Sequence, residues 1–295
     1  MIILQAKRQS RDFIVLVGLG LIGSLIFKQL LATHKVLAEA PAAGYSRESG
    51  RKLAAHAQST LNQSRYSVGR LDYIYAAGAA GFFSSAEQMN QEYDYALSVT
   101  EGLVSTLHFE ILVGHLVSSA GGVYEGCKHI TQNTKAAPAR PYGESKLKLE
   151  KAFSSLFDHL MIYRPTSVYG YLGSGYRRGL ITQLIWDAQH QSTTPIFGAL
   201  HTLRDYVWAG DIGHHIHAKI ASQESDSQTM ILASGRPVSV FEILHKLEKY
   251  LLRRPRIALV HAENARNITF SPSVIARGFH ASPLEVCLPR IVHGF

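Results

Sequence analysis

Apolar and polar residues fall into blocks along the chain, and the period of those blocks changes between that of a strand and that of a helix. Phe13-Ile-Val-Leu-Val17 is a continuous apolar run of strand length that stops at Gly18-Leu-Gly-Leu-Ile-Gly23. Ser24 to Ala32 then carries the apolar spacing of a helix. Val36-Leu37-Ala38 reads as a second short strand, and Asp72-Tyr-Ile-Tyr75 as another that meets the small-residue turn Ala76-Ala77-Gly78. Glu92 to Leu107 is helical in pattern, and Ile111 to Val117 is an apolar strand ending at Ser118-Ser119. A helix closing over Phe153 to Phe157 precedes the strand Leu160 to Tyr163. Strands alternating with helices predict an α/β fold, a parallel sheet with helices on both faces. Beyond Gly170 the pattern loosens at Gly173, Gly175 and Pro195. A first domain is therefore expected over residues 1–170. Residues 171–295 are expected mainly as a smaller second lobe, with some segments returning to the first domain, and Val240 to Leu252 is expected as a helix.

Composition narrows the class. The chain has 295 residues, 46% of them apolar and 18% charged, which is rich enough in apolar surface for a substantial core and excludes disorder and fibrous repeats. Cys127 and Cys287 cannot build a disulfide framework and show no zinc-type spacing, so a reducing compartment is expected. The opening Met1-Ile-Ile-Leu4 is too short for a signal-peptide core, and no segment has membrane-spanning length. A soluble, cytoplasmic protein with no membrane partner is the expectation. The net charge of +8 resolves into short runs, Arg177-Arg178 and Arg253-Arg254 with Arg256, and otherwise scattered residues. A nucleic-acid surface clusters its basic residues on one element, so no nucleic-acid partner is expected, and an anionic small molecule accounts for the charge as well.

The glycine run has the context of a phosphate-binding turn, with a strand before it and a helix after. Gly18 would permit the tight turn, Gly20 the close approach of backbone to a pyrophosphate, and Gly23 tight helix–strand packing. The free N–H groups at the helix start, around Leu21 and Ile22, would meet the phosphates. With this turn the sheet is expected to be of the doubly wound, Rossmann type, and Ala76, Ala77 and Gly78 join the cofactor-binding set. An acidic residue is expected roughly 20 residues on to hold the adenosine ribose. Glu39 stands at that distance, although a slip of one residue would put Ala40 there instead. Ser46, Arg47 and Arg51 read as solvated loop residues rather than as a site for a 2′-phosphate. NAD against NADP stays open, with NAD slightly favoured.

Tyr142-Gly-Glu-Ser-Lys146 follows Pro141 at the start of a helical stretch, so the phenol and the ammonium share one helical face. A phenol, with its ordinary pKa of about 10, is a poor base at neutral pH, and a neighbouring cation favours its ionised form. With Ser118-Ser-Ala-Gly-Gly-Val-Tyr124, Tyr163-Arg-Pro-Thr-Ser-Val-Tyr-Gly170, Arg204-Asp-Tyr-Val207 with Asp211, and Ala233-Ser-Gly-Arg-Pro-Val-Ser-Val240, the chain resembles the extended short-chain dehydrogenase/reductase family in its nucleotide-sugar epimerase/dehydratase branch. The resemblance implies that Tyr142 moves the proton of a sugar hydroxyl while hydride passes to or from a nicotinamide. It implies that Lys146 tunes Tyr142 and holds the nicotinamide ribose, that a strand-end hydroxyl bonds the reacting oxygen, and that Arg204 faces the substrate diphosphate. A salt bridge of Arg204 with Asp205 or Asp211 is the structural alternative. A homodimer through helices beside the catalytic one would fit the family.

The departures from that family are informative. Aligned on Val123-Tyr124, Ala120 stands where many relatives have the catalytic Ser or Thr, which leaves Ser119, or Ser118, to serve. Ser167 stands where asparagine is common among the substrate contacts. Residues 1–12 read as an unusual leader, and the usual third strand is hard to see. Gly121 and Gly122 occupy the places of the Asp-Glu pair of 4,6-dehydratases, and no glycine can move a proton, so dehydration is disfavoured. A 4-epimerase-type reaction on a nucleotide-linked sugar is the leading expectation. An NADPH-dependent keto-sugar reductase and a non-catalytic dinucleotide sensor on the same fold are its rivals. His214-His215-x-His217 resembles a metal cluster, but adjacent helical residues diverge and no carboxylate pattern accompanies them, so no metal is expected. Tyr93, Tyr95, Phe82 and Phe83 are expected in the core rather than along the cofactor pocket.

Overall fold

The computed structural model describes residues 1–8, 11–41, 44–63, 68–105, 109–173, 178–260 and 266–294. Leu107, Gly175 and Arg177, named above, lie outside the described residues. Seven strands form the main sheet: β1 (Ile2–Ala6), β2 (Asp12–Val17), β3 (His34–Glu39), β4 (Val68–Tyr75), β5 (Phe109–Val117), β6 (His159–Pro165) and β7 (Gln228–Leu232). Their order is β7-β6-β5-β4-β2-β1-β3. The helices that concern the site are α1 (Leu21–Leu30), α2 (Arg47–Gln63), α3 (Ala86–Val104), α4 (Ala120–Val123), α5 (Pro141–Leu156), α6 (Leu180–Gln189) and α7 (Ala209–Ala221). Helix α1 starts three residues before the apolar periodicity does, and in its first turn Leu21 and Ile22 border a cleft, Ile22 packing on the core as well. The helix at Val240 stops at Leu247, short of the Leu252 expected, and Leu252 is fully exposed.

The expectation of a leader over residues 1–12 is corrected. Residues 2–6 form a strand lying between β2 and β3 and antiparallel to both, whereas every other neighbouring pair in the sheet is parallel. Ile3 joins one core face with Phe13 and Val15, while Ile2 and Leu4 join the other with Ile14 and Leu16. A strand covered on both faces needs a continuous apolar run, and this one has it. The ammonium of Lys7, just past β1, donates to the carbonyls of Leu31 and Ala32 at 2.9 and 3.3 Å, closing the C-terminal end of α1.

Two helical layers cover the sheet. Leu53, Ala57 and Leu61 of α2, Val99 and Leu103 of α3 and Phe153 of α5 pack on one face. Ile26 and Leu30 of α1 and Ile212, Ile216 and Ile220 of α7 pack on the other. A separate core forms around Ile181, Leu184 and Ile185 of α6 with Ile243, Leu247, Leu288 and Ile291. Segments beyond residue 170 return to the main sheet as α7 and β7. The histidines of α7 diverge: His214 is exposed, while His215 is buried with its ring edge-on to Tyr163 and Phe279. Burial lowers its pKa to about 4.

Across β4, β5 and β6 runs a buried polar chain. Arg70 donates to both carboxylate oxygens of Asp72 at 2.9 Å, His115 Nε2 lies 3.0 Å from Asp72 Oδ1, and His115 Nδ1 lies 2.9 Å from the Tyr163 hydroxyl. Burial alone would raise the Asp72 carboxyl, but the hydrogen bonds and charges of His115 and Arg70 hold it below its ordinary value. Removing one partner of such a pair strands the other charge in the core. Arg70→Met is therefore expected to lower unfolding free energy by about 3–5 kcal/mol in urea denaturation. Because the folded carboxyl is the stronger acid, the stabilisation is present at neutral pH and lost as pH falls through the lowered value, below about 4.

Candidate active site

A cleft of about 980 Å³ opens outside the carboxyl ends of β2, β4, β5 and β6. The connections from β2 and β4 leave there for opposite faces of the sheet, the usual position of a ligand crevice in a doubly wound fold. Twelve of the expected site residues line it: Gly18, Gly20, Leu21, Ile22, Glu39, Ala76, Ala77, Gly78, Ser118, Ser119, Tyr142 and Ser167. Gly23 and Lys146 stand directly behind the lining. Arg204 does not line the cleft.

The glycine turn follows from local sterics. Gly18 has φ +98°, and a Cβ there would overlap the backbone of Ala77. A Cβ on Gly23 would fall on the carbonyl of Gly18, so α1 can seat itself under the turn only with glycine at this position. Gly20 is different, since nothing lies within 4 Å of where its Cβ would be. It is the N-cap of α1, with no side-chain cap and no acidic residue in the first turn. The N-terminal amides of α1 are thus left for an anion in the cleft.

After β4, the amide of Ala76 donates to the carbonyl of Val17 at 2.8 Å, tying this loop to the glycine turn. The buried carboxylate of Glu92 accepts from the amides of Ala79 and Ala80, and the hydroxyl of Tyr45 accepts from Gly78 at 3.2 Å. Neither Glu92 nor Tyr45 stood out in the sequence, because each contact joins elements distant in the chain. The ammonium of Lys146 reaches the same loop, 3.9 Å from where a Gly78 methyl would be, and 5.5 Å from the centroid of the Tyr142 ring.

Tyr142 enters the cleft in the first turn of α5, behind Pro141 at the favoured first position. Its ring lies against Gly122, where a Cβ would overlap it, and a Cβ on Gly143 would strike the carbonyl of Gly122. The glycines of α4 are therefore what lets α5 bring Tyr142 to the end of β5. Ser119 caps α4, its oxygen accepting from Gly122 N at 3.1 Å, which leaves its hydrogen to donate into the cleft. Ser118 is committed elsewhere: its hydroxyl donates to the buried Glu150, which Arg164 holds in turn at 2.9 Å. Ala120 is fully buried and offers nothing.

Aromatic side chains finish the wall. Phe82 lines the cleft 6.0 Å from the Tyr142 ring, and the Arg140 guanidinium lies 4.8 Å from the centroids of both Phe82 and Phe83. Arg140 also pairs with Glu125 at 2.8 Å. Phe83 is two-thirds exposed and meets Phe197, so it is not a core residue as expected from the sequence. Tyr95 is buried and borders the cleft. Arg204 donates to the backbone carbonyls of Leu203 and Arg266 rather than to Asp205 or Asp211. Asp205 accepts from Thr166 and Ser234, and Asp211 from Ser282. Among the described residues no group of three potential metal ligands comes together, and no helix is long and apolar enough to cross a membrane.

Fold and cleft together define a dinucleotide-binding α/β protein with a tyrosine and a lysine at the carboxyl edge of its sheet. Residues 14–233 match the NAD dependent epimerase/dehydratase family, and the chain belongs to it. A search of curated protein sequences gave no match. Among solved structures, MoeE5 in complex with UDP-glucose and NAD is similar with a TM-score of 0.75 at 20% identity, over 95% of this chain and 97% of that one. The UDP-glucose 4-epimerase of Thermus thermophilus, complexed with NAD, gives 0.70 at 17% identity, over 95% and 97%. The UDP-N-acetylglucosamine 4-epimerase of Bacillus cereus gives 0.66 at 14%, over 93% and 95%. At such identities the likeness establishes the fold, and the NAD dependence agrees with the family.

The open space at Gly20 generates a test. Gly20→Val would put a branched side chain where the turn faces the cleft without touching the core. The expected outcome is an unchanged melting temperature with NAD binding lost in calorimetric titration. Unchanged affinity would remove the turn from the cofactor site.

Proposed function

We propose that this chain binds NAD and a nucleotide-linked sugar and inverts one carbon of that sugar, in a 4-epimerase-type reaction. One observation carries the reading: Tyr142 and Ser119 line the cleft that the glycine turn opens into, with the Lys146 ammonium behind them, 5.5 Å from the centroid of the Tyr142 ring. The residues present suit the dinucleotide. The uncapped amides of α1 would take its pyrophosphate, the unfilled space at Gly20 would admit it, and Lys146 beside Gly78 would hold the nicotinamide ribose. NAD, when bound, supplies a hydride acceptor and donor.

The protein's own contribution is proton handling and orientation. Tyr142 takes the proton of the sugar hydroxyl as the carbon becomes a ketone, and returns it when the hydroxyl re-forms on the opposite side. The ammonium of Lys146, one helical turn on with its Nζ 5.5 Å from the centroid of the Tyr142 ring, faces the charge that develops at the phenol as the proton moves. Ser119 donates to the reacting oxygen and fixes it within reach of the phenol. Phe82, held by Arg140 and Phe83, closes the cleft beside the reacting carbon and keeps water from it. Gly121 and Gly122 offer no acid or base, and packing under Tyr142 accounts for glycine at 122, so elimination of water does not compete. UDP-linked hexoses, present in similar structures, are the first substrates to try.

Tyr142→Phe keeps the ring and removes the proton carrier. It should leave sugar binding within a few-fold and lower single-turnover hydride transfer by about 10²–10⁴. Lys146→Met should slow transfer and also weaken NAD binding. Since both changes disable one proton transfer, the double variant should be little slower than Tyr142→Phe alone. Near-normal transfer in Tyr142→Phe would place the chemistry elsewhere. Absence of transfer in the wild type despite binding of both ligands would favour a dinucleotide-sensing protein.

A further inference from the structure

We infer that strand β1 relaxes discrimination at the adenosine ribose, so that the site takes NADP about as readily as NAD. The inference rests on the dinucleotide reading above and concerns a feature that reading does not use. In a doubly wound fold the strand following the glycine helix pairs directly with the glycine strand. An acidic residue at its end then holds the ribose hydroxyls and repels a 2′-phosphate. Here β1 stands between. Ile2 pairs with Leu16 on one side and with Glu39 on the other, and Ala40 exchanges backbone hydrogen bonds with Met1.

Neighbouring strands are about 4.8 Å apart, so Glu39 begins roughly 9–10 Å from the end of β2 instead of beside it. The strand that took its place is apolar. Ile2 is buried in the core between α1 and the sheet, and its backbone is consumed in ladders on both sides. Among the described residues, no carboxylate is therefore next to the glycine turn at the position where the ribose discriminator belongs. Glu39 stays on the far rim, exposed, on the edge strand β3. Beyond it the rim is Ala40, Gly44 and Tyr45, with Arg47 and Arg51 exposed on the first turns of α2. The acidic side chain on this turn, Glu48, is paired with Lys52 at 2.5 Å, so the two arginines leave the turn with a net positive charge that favours a phosphate.

The consequence is a specificity with two measurable parts. The first is the ratio of affinities, read by calorimetric titration of the full chain with NAD⁺ and with NADP⁺ at one ionic strength. The expected dissociation constants agree within about tenfold, because two hydrogen bonds to a carboxylate would alone separate them by more than that. The second is Glu39→Gln, which should move neither constant by more than about threefold, well under the effect of losing a charged hydrogen bond. A difference of more than about tenfold between the two dissociation constants, in either direction, would overturn the inference while leaving the dinucleotide site intact. So would a Glu39→Gln variant that loosens NAD⁺ or tightens NADP⁺ tenfold or more, since the carboxylate would then be reading the ribose. Binding of neither dinucleotide would overturn the inference together with the reading it rests on.

Discussion

The whole cleft depends on one close approach of backbone to backbone. The turn after β2 and the loop after β4 meet at Gly18 and Ala77 with no room for a side chain between them, and the Ala76 amide closes the contact on Val17. That contact fixes where α1 starts, hence where its free amides point, and Gly23 then lets the helix lie against the turn. It also fixes the Gly78 end of the loop, to which Lys146 reaches from α5. A second approach of the same kind, with Gly122 and Gly143 face to face, brings Tyr142 to the end of β5. Two glycine contacts thus set the distance between the uncapped start of α1 and the phenol. Side-chain contacts such as the Glu92 carboxylate on the Ala79 and Ala80 amides hold what the glycines permit.

Much of this was legible in the sequence because it is local. The run Phe13 to Val17 followed by three spaced glycines needs only strand and turn physics, and Tyr142 with Lys146 needs only the helical repeat. The start of α1 reads as Ser24, past the glycine turn, because the three spaced glycines mask the helical repeat there: Leu21 and Ile22 belong to α1 and border the cleft, and Ile22 also packs on the core. The inserted strand was illegible for another reason. Ile2 to Leu4 is apolar enough for a strand, but its pairing with β3 joins residues more than thirty apart, and no short motif signals an antiparallel strand inside a parallel sheet. Phe82, Tyr45 and Glu92 owe their roles to tertiary placement alone. For Arg204, the family resemblance implied a diphosphate contact, with an ion pair to Asp205 or Asp211 as the alternative, and in the folded chain the guanidinium donates to two backbone carbonyls.

The glycines at 121 and 122 connect fold to reaction. In relatives that eliminate water, this segment carries an acid and a base. Here the edge of the Tyr142 ring fills the space beside position 122, so the glycine that leaves this position without an acid or base also seats Tyr142. Ser118 and Ser119 divide the labour at the neighbouring strand end. One is consumed in the Glu150–Arg164 network that anchors α5, and the other keeps its hydrogen for the cleft. What remains beside Tyr142 at this strand end is one hydroxyl facing the cleft, the pair on which the proposed proton transfer rests.

The central claim is that hydride leaves one sugar carbon and returns to that same carbon. The most direct test supplies the enzyme with a nucleotide-linked hexose deuterated at C4 and follows the label by mass spectrometry and NMR. The account predicts an inverted product that keeps its deuterium at C4, with no exchange into solvent and no net change in the oxidation state of NAD. Deuterium recovered on released cofactor, or a product inverted at C4 that has lost its label to water, would contradict it.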